Sequence, residues 1–201
     1  MKGIPTIYHG RRFRSRLEAR WAAMFDLLGW RYEYEPYDLK GWIPDFALFG
    51  AEEVIVEVKP YSSLQEFDTG KILAALKGTE KRGREILLLG CTIVGTASAS
   101  SPIWEDCPAV ILGYLGELWK REKQTEEYYF ARAVLNFYKG KWGFYHEEGS
   151  WSDRITGLYD GDHYLYNPDY EEVLELWNQA GNIVQFKGVE EDGKLERESK
   201  P

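Results

Sequence analysis

Histidine and cysteine are scarce in this chain: its 201 residues hold three of the first and two of the second. His9, His146 and His163 are scattered, and neither Cys91 nor Cys107 stands at a metal-ligand spacing from another Cys or His. That excludes zinc fingers, zinc ribbons and H-E-x-x-H hydrolases. Two cysteines are also too few for a disulfide scaffold, and both read as reduced thiols. No G-x-S-x-G elbow and no Walker loop occurs. Asp153, Asp160, Asp162 and Asp169 lack EF-hand spacing and read as solvated loop carboxylates. No apolar run approaches the ~20 residues that span a bilayer, and MKGIPTIYHGRRF contains no stretch of signal-peptide length. The expectation is a cytoplasmic protein without membrane contact.

An excess of positive charge is missing too. Net charge is −8, so the chain is no polycation. The deficit is uneven: residues 1–116 carry a net −1 and residues 117–201 a net −7. Contact with a polyanion must therefore be local. Two basic stretches qualify, GRRFRSRLEAR at Gly10–Arg20 and the set Lys71, Lys77, Lys81, Arg82 and Arg84. The same residues would equally decorate helix surfaces.

What is present supports a core. Hydrophobic residues make up 44% of the chain and aromatics 15%, which excludes general disorder. A short hairpin is predicted around His9-Gly10-Arg11. Ser15 with Glu18 forms a capping box. Leu17, Trp21, Met24 and Leu28 then line one side of a helix that stops at Gly29. Strands follow at Trp30–Tyr34, Trp42–Phe49 and Val54–Lys59, the last two joined at Gly50. A second capping box, Ser63 with Glu66, opens a helix over Leu64–Leu76. Glu85–Val94 reads as a strand buried on both faces, Thr96–Pro102 as a loop and Pro108–Leu115 as a strand. Phe130–Phe137 and Trp142–Tyr145 read as a hairpin. Asn167 is the expected cap of a last helix, with Pro168 at its first position and Gly181 at its end. The tryptophans read as core, with base stacking as the rival reading. The whole is an α/β protein: a central mixed β-sheet flanked by helices over residues 1–116, a C-terminal α+β elaboration over 117–188, and a charged, disordered tail over 189–201.

One stretch is chemically unusual. In GWIPDFALFGAEEVIVEVKPYSS, alternation puts Ile55, Glu57 and Lys59 on one face of the second strand. An exposed Glu–Lys pair at a strand end is worth only about 0–1 kcal/mol. Yet Asp45 starts the preceding strand, and counting outward from a turn near Gly50 brings it beside Glu57 and Lys59. Two carboxylates at one sheet end suit a hard divalent cation, with the Val58 carbonyl as a further oxygen. Such an ion acidifies bound water and stabilises phosphate charge. Lys59 can orient or help deprotonate that water, or stabilise developing charge.

Pro44-Asp45 followed by Glu57-Val58-Lys59 resembles the PD-(D/E)XK motif of the restriction-endonuclease-like superfamily. The segment GRRFRSRLEARWA resembles the opening helix of phage-encoded nucleases of that superfamily, which are similar to transposon-end nucleases and Holliday-junction resolvases. Leu176–Asn182 with Gln185 is similar to the ending of such proteins. The motif-bearing likeness spans about residues 7–116. It implies a restriction-endonuclease-like core and a Mg²⁺-dependent deoxyribonuclease, with Mn²⁺ also supporting activity, working in phage DNA processing, recombination or repair in the host cytoplasm. It implies Glu18, Asp45, Glu57 and Lys59 as catalytic residues. Asp45, Glu57, the Val58 carbonyl and Glu18, directly or through water, would be metal ligands. Arg11, Arg12, Arg14, Arg16, Gln65 and Lys71 would face DNA, and a homodimer would supply two sites for two strands. Each has a plainer reading: Glu18 as a helix cap, Gln65 and Lys71 as surface residues. The alternative function is a catalytically silent nucleic-acid-binding or assembly protein that keeps the fold.

Overall fold

The computed structural model describes residues 3–39, 41–96, 109–120, 126–162 and 165–185. An N-terminal hairpin pairs β1 (Thr6–Tyr8) with β2 (Arg11–Phe13), Tyr8 opposite Arg11. Its two turn residues, His9 and Gly10, both take positive φ, 46° and 75°. That is the primed turn geometry that follows the twist of the strands. Helix α1 (Arg16–Leu27) opens at Ser15, whose Oγ accepts from the Glu18 N–H at 3.1 Å. It ends at Leu28, with Gly29 next in the left-handed region, where a helix stop is expected.

Seven strands then form one sheet in sequence order: β3 (Tyr32–Tyr34), β4 (Phe46–Phe49), β5 (Glu53–Val58), β6 (Glu85–Thr96), β7 (Ala109–Lys120), β8 (Glu126–Tyr138) and β9 (Lys141–His146). Neighbours are antiparallel except β5 and β6, which are parallel. A parallel pair needs a crossover, and α2 (Thr69–Leu76) lies in it. The protein is thus α/β with a mixed sheet. On one face Val54, Val56, Val58, Leu87 and Leu89 pack against α1 and α3 (Tyr170–Ile183). On the other Ile55, Ile86 and Leu88 pack against Ile72, Ala75 and Leu76 of α2. β5 is buried from both sides by this arrangement. β7 runs unbroken through residue 116, so β8 and β9 extend the same sheet. Register shifts between Leu89 and Val94 and between Ile111 and Gly113 interrupt the long strands, a device that bends them.

Several local expectations change. β4 begins only at Phe46, because Pro44 keeps residues before it out of the ladder. The Leu64–Leu76 helix is two pieces. The Ser63/Glu66 box caps a single 3-10 turn at Leu64–Glu66, and Asp68 starts α2 anew by accepting from Lys71 N–H at 3.0 Å. β6 is buried on both faces only over Ile86–Leu89; Cys91, Thr92 and Val94 are exposed. Asp169 caps α3 instead of Asn167, because its carboxylate reaches the N–H groups of both Glu171 and Glu172. Gly181 lies inside α3 instead of ending it. The Arg20 guanidinium packs there, and a Cβ on Gly181 would come within 3.1 Å of it. Trp177 is buried in the core as read, while Trp151 is exposed. The loop beyond Thr96, Trp104, Cys107, His163 and the charged tail lie outside the described residues. Among the described residues no helix is long and apolar enough to cross a membrane.

Candidate active site

β4 and β5 place the charged residues. Phe46 pairs with Val56, and one further step along the antiparallel register sets Asp45 opposite Glu57. Phe46 and Val56 point into the α1 face, so Asp45 and Glu57 point to the α2 face. Both are almost fully buried, Asp45 at 1% exposure and Glu57 at 7%. Asp45 Oδ2 accepts from the Val58 N–H at 2.7 Å, which stitches the two strand ends together. Glu57 Oε2 accepts from the Trp42 indole N–H at 2.8 Å. Trp42 sits on this face through the short Leu39–Trp42 bridge.

Lys59 closes the group. Its Nζ lies 2.5 Å from Glu57 Oε1, 3.1 Å from the Val58 carbonyl oxygen and 3.6 Å from Asp45 Oδ2. Three oxygens, two carboxylate and one main-chain, therefore converge on one cationic nitrogen. Burial, and then the charge of Glu57, push Asp45 up to about 7, while Lys59 and the Val58 N–H pull it down. Burial pulls the Lys59 ammonium down, but the Asp45 and Glu57 carboxylates outweigh it and hold it above its usual value.

Arg14 and Glu18 border the group from outside. Arg14 follows β2 directly, and its Nη2 reaches Asp45 Oδ1 at 2.5 Å while its Nε pairs with Glu35 at 2.7 Å. Glu35 is held in the left-handed region, φ 48°, and its N–H donates to the Asp45 carbonyl at 2.9 Å. Glu18 comes from α1 on the opposite face of the sheet. Its Oε1 accepts from Ser15 Oγ at 2.7 Å, and its Oε2 from Tyr34 OH at 2.6 Å and the Arg14 N–H at 3.2 Å. Burial and that carboxylate raise the Tyr34 hydroxyl. The Arg14 guanidinium links Glu18 to Asp45, with Nε 3.9 Å from Glu18 Oε2. Of the expected capping box only the Ser15 half forms: the Glu18 carboxylate accepts from Ser15 Oγ and from the Arg14 N–H instead of the Ser15 N–H.

The remaining predicted residues do not converge here. Arg11 and Arg12 are exposed on β2, and Arg16 is exposed at the start of α1. Gln65 lies exposed on the 3-10 turn and Lys71 exposed on α2. Arg20 is turned inward: it donates to the Trp177 carbonyl at 2.9 and 3.1 Å and stacks 3.8 Å from that ring. Sequence reasoning missed Trp42 and Tyr34, whose donors orient the two glutamates. It also missed a second buried charge cluster. Arg154, at 1% exposure, forms a bidentate pair with Glu85 at 2.6 and 2.8 Å and a further pair with Glu117. Its partners are too distant in sequence to be read from spacing.

Among the described residues no group of three or more His, Cys, Asp or Glu side chains is placed to hold a metal ion. The convergence at Lys59 uses two carboxylates and a backbone carbonyl instead. No protein-family model, no curated protein and no solved structure matches this chain.

Proposed function

We propose that this protein is a divalent-metal-dependent deoxyribonuclease built on a restriction-endonuclease-like core, acting on DNA through the sheet end formed by β4 and β5. One observation carries the reading: Asp45 Oδ2, Glu57 Oε1 and the Val58 carbonyl converge on a single cation, Lys59 Nζ. Asp45 is raised first by burial and then by repulsion from the Glu57 carboxylate beside it. A cation relieves that repulsion, and these hard oxygens fit Mg²⁺ or Mn²⁺. Lys59 supplies the relief in this arrangement, and its half-exposed stem leaves it free to turn outward.

Bound there, such an ion would acidify a water and offset charge on a scissile phosphate. The chain's own residues have separate tasks. Trp42 fixes Glu57 through the indole N–H, and the Val58 N–H fixes Asp45. Lys59, held as an ammonium, stabilises negative charge on phosphate instead of taking up a proton. Arg14 releases a carboxylate when a cation takes its place and becomes available to phosphate. Exposed Arg11, Arg12 and Arg16 supply sequence-independent backbone affinity, with Gln65 and Lys71 as contacts from the crossover. Glu18 holds Tyr34 and the start of α1, and meets the metal shell through Arg14 or water.

Cleavage of plasmid and branched DNA in Mg²⁺, Mn²⁺ or EDTA tests this. Asp45→Ala abolishes metal-dependent cleavage while DNA binding persists. Cleavage that continues in EDTA, or survives Asp45→Ala, sinks the mechanism. A second reading, a silent nucleic-acid-binding protein, draws on the same contacts: Arg14 and Lys59 already neutralise both carboxylates. DNA binding without cleavage in either metal selects it.

A further inference from the structure

A concavity lies on the α1 face, away from Asp45 and Glu57. It is an open cleft of about 370 Å³ between the N-terminal hairpin, the last turn of α1 and the start of β3. That volume is at the small end of ligand sites, which run roughly 300–1,000 Å³. His9 and Arg11 enter from the hairpin, Asp26 from α1, Arg31 from the residue before β3 and Tyr32 from β3 itself.

The chemistry is mixed in sign. Arg11 and Arg31 are exposed, and neither has a carboxylate within ion-pair distance among the described residues. Asp26 stands at the other wall. Its Oδ2 accepts from Tyr8 OH at 2.8 Å and Tyr32 OH at 3.3 Å, with His9 Nδ1 at 3.7 Å. Oδ1 keeps its acceptor capacity. The His9 ring stacks on Tyr8, centroids 4.1 Å apart and planes 18° from parallel. His9 is 75% exposed, so its other face is open.

Two guanidiniums without a carboxylate partner, that of Arg31 lying 5.6 Å from the Phe49 ring centroid, suit a phosphate dianion. A free carboxylate oxygen suits a hydroxyl or an exocyclic amine, and an open aromatic face suits a base. A nucleotide carries all three groups on one small body. Arg11 is also tied closely to the candidate active site. Arg14, which touches Asp45, follows three residues later, and three residues reach at most about 11 Å.

We infer that this cleft holds the terminal phosphorylated nucleotide of a DNA strand. The inference rests on the nucleic-acid reading above. It makes strand ends the substrate class and sets the cut a short fixed distance from the held end. Free inorganic phosphate shares the phosphate chemistry but offers nothing to Asp26 or His9.

The test is fluorescence anisotropy with the full chain in EDTA, so that no cleavage intervenes. Oligonucleotides with a 5′-phosphate, a 3′-phosphate or hydroxyls at both ends are compared. One phosphorylated end is expected to bind about tenfold tighter than the hydroxyl oligonucleotide. The preference is expected to vanish in Arg31→Gln, with the melting temperature and hydroxyl-oligonucleotide binding unchanged. Arg11→Gln is expected to lose the preference and also to weaken binding of all three oligonucleotides, because Arg11 contributes backbone affinity as well. Equal affinity for all three oligonucleotides overturns the inference. So does a preference that survives Arg31→Gln, and so does binding of inorganic phosphate with no preference between ends. An end preference in a protein that cuts nothing sinks the nuclease reading and leaves this one standing.

Discussion

Two clusters of buried charge sit on the same sheet and differ in one respect. At the end of β5, Asp45 and Glu57 are buried but their cations are not: Lys59 is 39% exposed and Arg14 53%. Between β6 and β7, Glu85 and Glu117 are held by Arg154, which is 1% exposed. Arg154 also donates to the carbonyls of Ser150 and Ser152, so its donors are committed on every side. The first cluster has cations that can leave without opening the core. The second has a cation that cannot. Burial of the carboxylates alone does not distinguish the two clusters; exposure of the counter-charge does.

Breaking each cation in turn sharpens that contrast. Arg154→Ala strands the buried Glu117 and the partly buried Glu85, and frees the 147–159 segment that Arg154 ties to β6. Removing one partner of a buried pair costs about 3–5 kcal/mol, so urea unfolding shifts by that order or the protein fails to fold. Lys59→Met removes a cation that water can partly replace. Its unfolding free energy falls by less than that of Arg154→Ala, because Lys59 is 39% exposed and water can reach the place it leaves, while cleavage in Mg²⁺ falls by about 10²–10³-fold, the effect of losing a charge-stabilising group. If Lys59→Met unfolds as readily as Arg154→Ala, the distinction between the clusters fails.

How much of this was legible follows from sequence separation. Asp45, Glu57 and Lys59 could be grouped because one short turn fixes the register, and alternation fixes the face. Gly29 as a helix stop was legible for the same local reason. Arg154 meets Glu85 and Glu117 across 69 and 37 residues, and no spacing rule spans that. The resemblance to phage nucleases implies Arg14 as a DNA contact, but its ion pairs with Asp45 and Glu35 are not legible from spacing. Gly181 was read as a stop because local rules do not contain Arg20, which needs the space beside α3. The register of β5 was local information, and the company kept by each arginine was not.

The proton is another competitor at the first cluster. Asp45 is raised from 3.8 to about 7, so between those pH values the folded protein holds a proton that the unfolded chain has lost. More protons on the folded state mean that stability falls as pH rises. This contribution is complete below about pH 4 and gone above about pH 7. Asp45→Asn cannot titrate and lacks it. Melting temperatures in EDTA at pH 4.5, 6 and 7.5 should therefore show the variant gaining on the wild type as pH rises. Parallel curves would mean that Asp45 is not raised. Adding Mg²⁺ at pH 7.5 is expected to raise the wild-type melting temperature and leave the variant nearly unmoved, because the ion takes the place of the missing proton.

The smallest effect is expected at Glu18, and it separates a ligand from a neighbour. Glu18 belongs to the helix on the far face, and its oxygens are occupied by Ser15, Tyr34 and the Arg14 N–H. Glu18→Gln keeps the length of the side chain and one acceptor oxygen for Tyr34. It removes the charge facing Arg14 and turns the second oxygen into an amide donor, which the Ser15 hydroxyl can accept. Melting temperature then stays within a few degrees, and cleavage falls by about 10-fold to 100-fold, the range for groups that orient a metal's ligands. A loss as deep as that of Asp45→Ala, at unchanged melting temperature, would instead make Glu18 a direct ligand. It would require Arg14 to swing away so that a carboxylate from the opposite face could reach round the sheet end, and Arg14→Gln would then bind Mg²⁺ more tightly than the wild type.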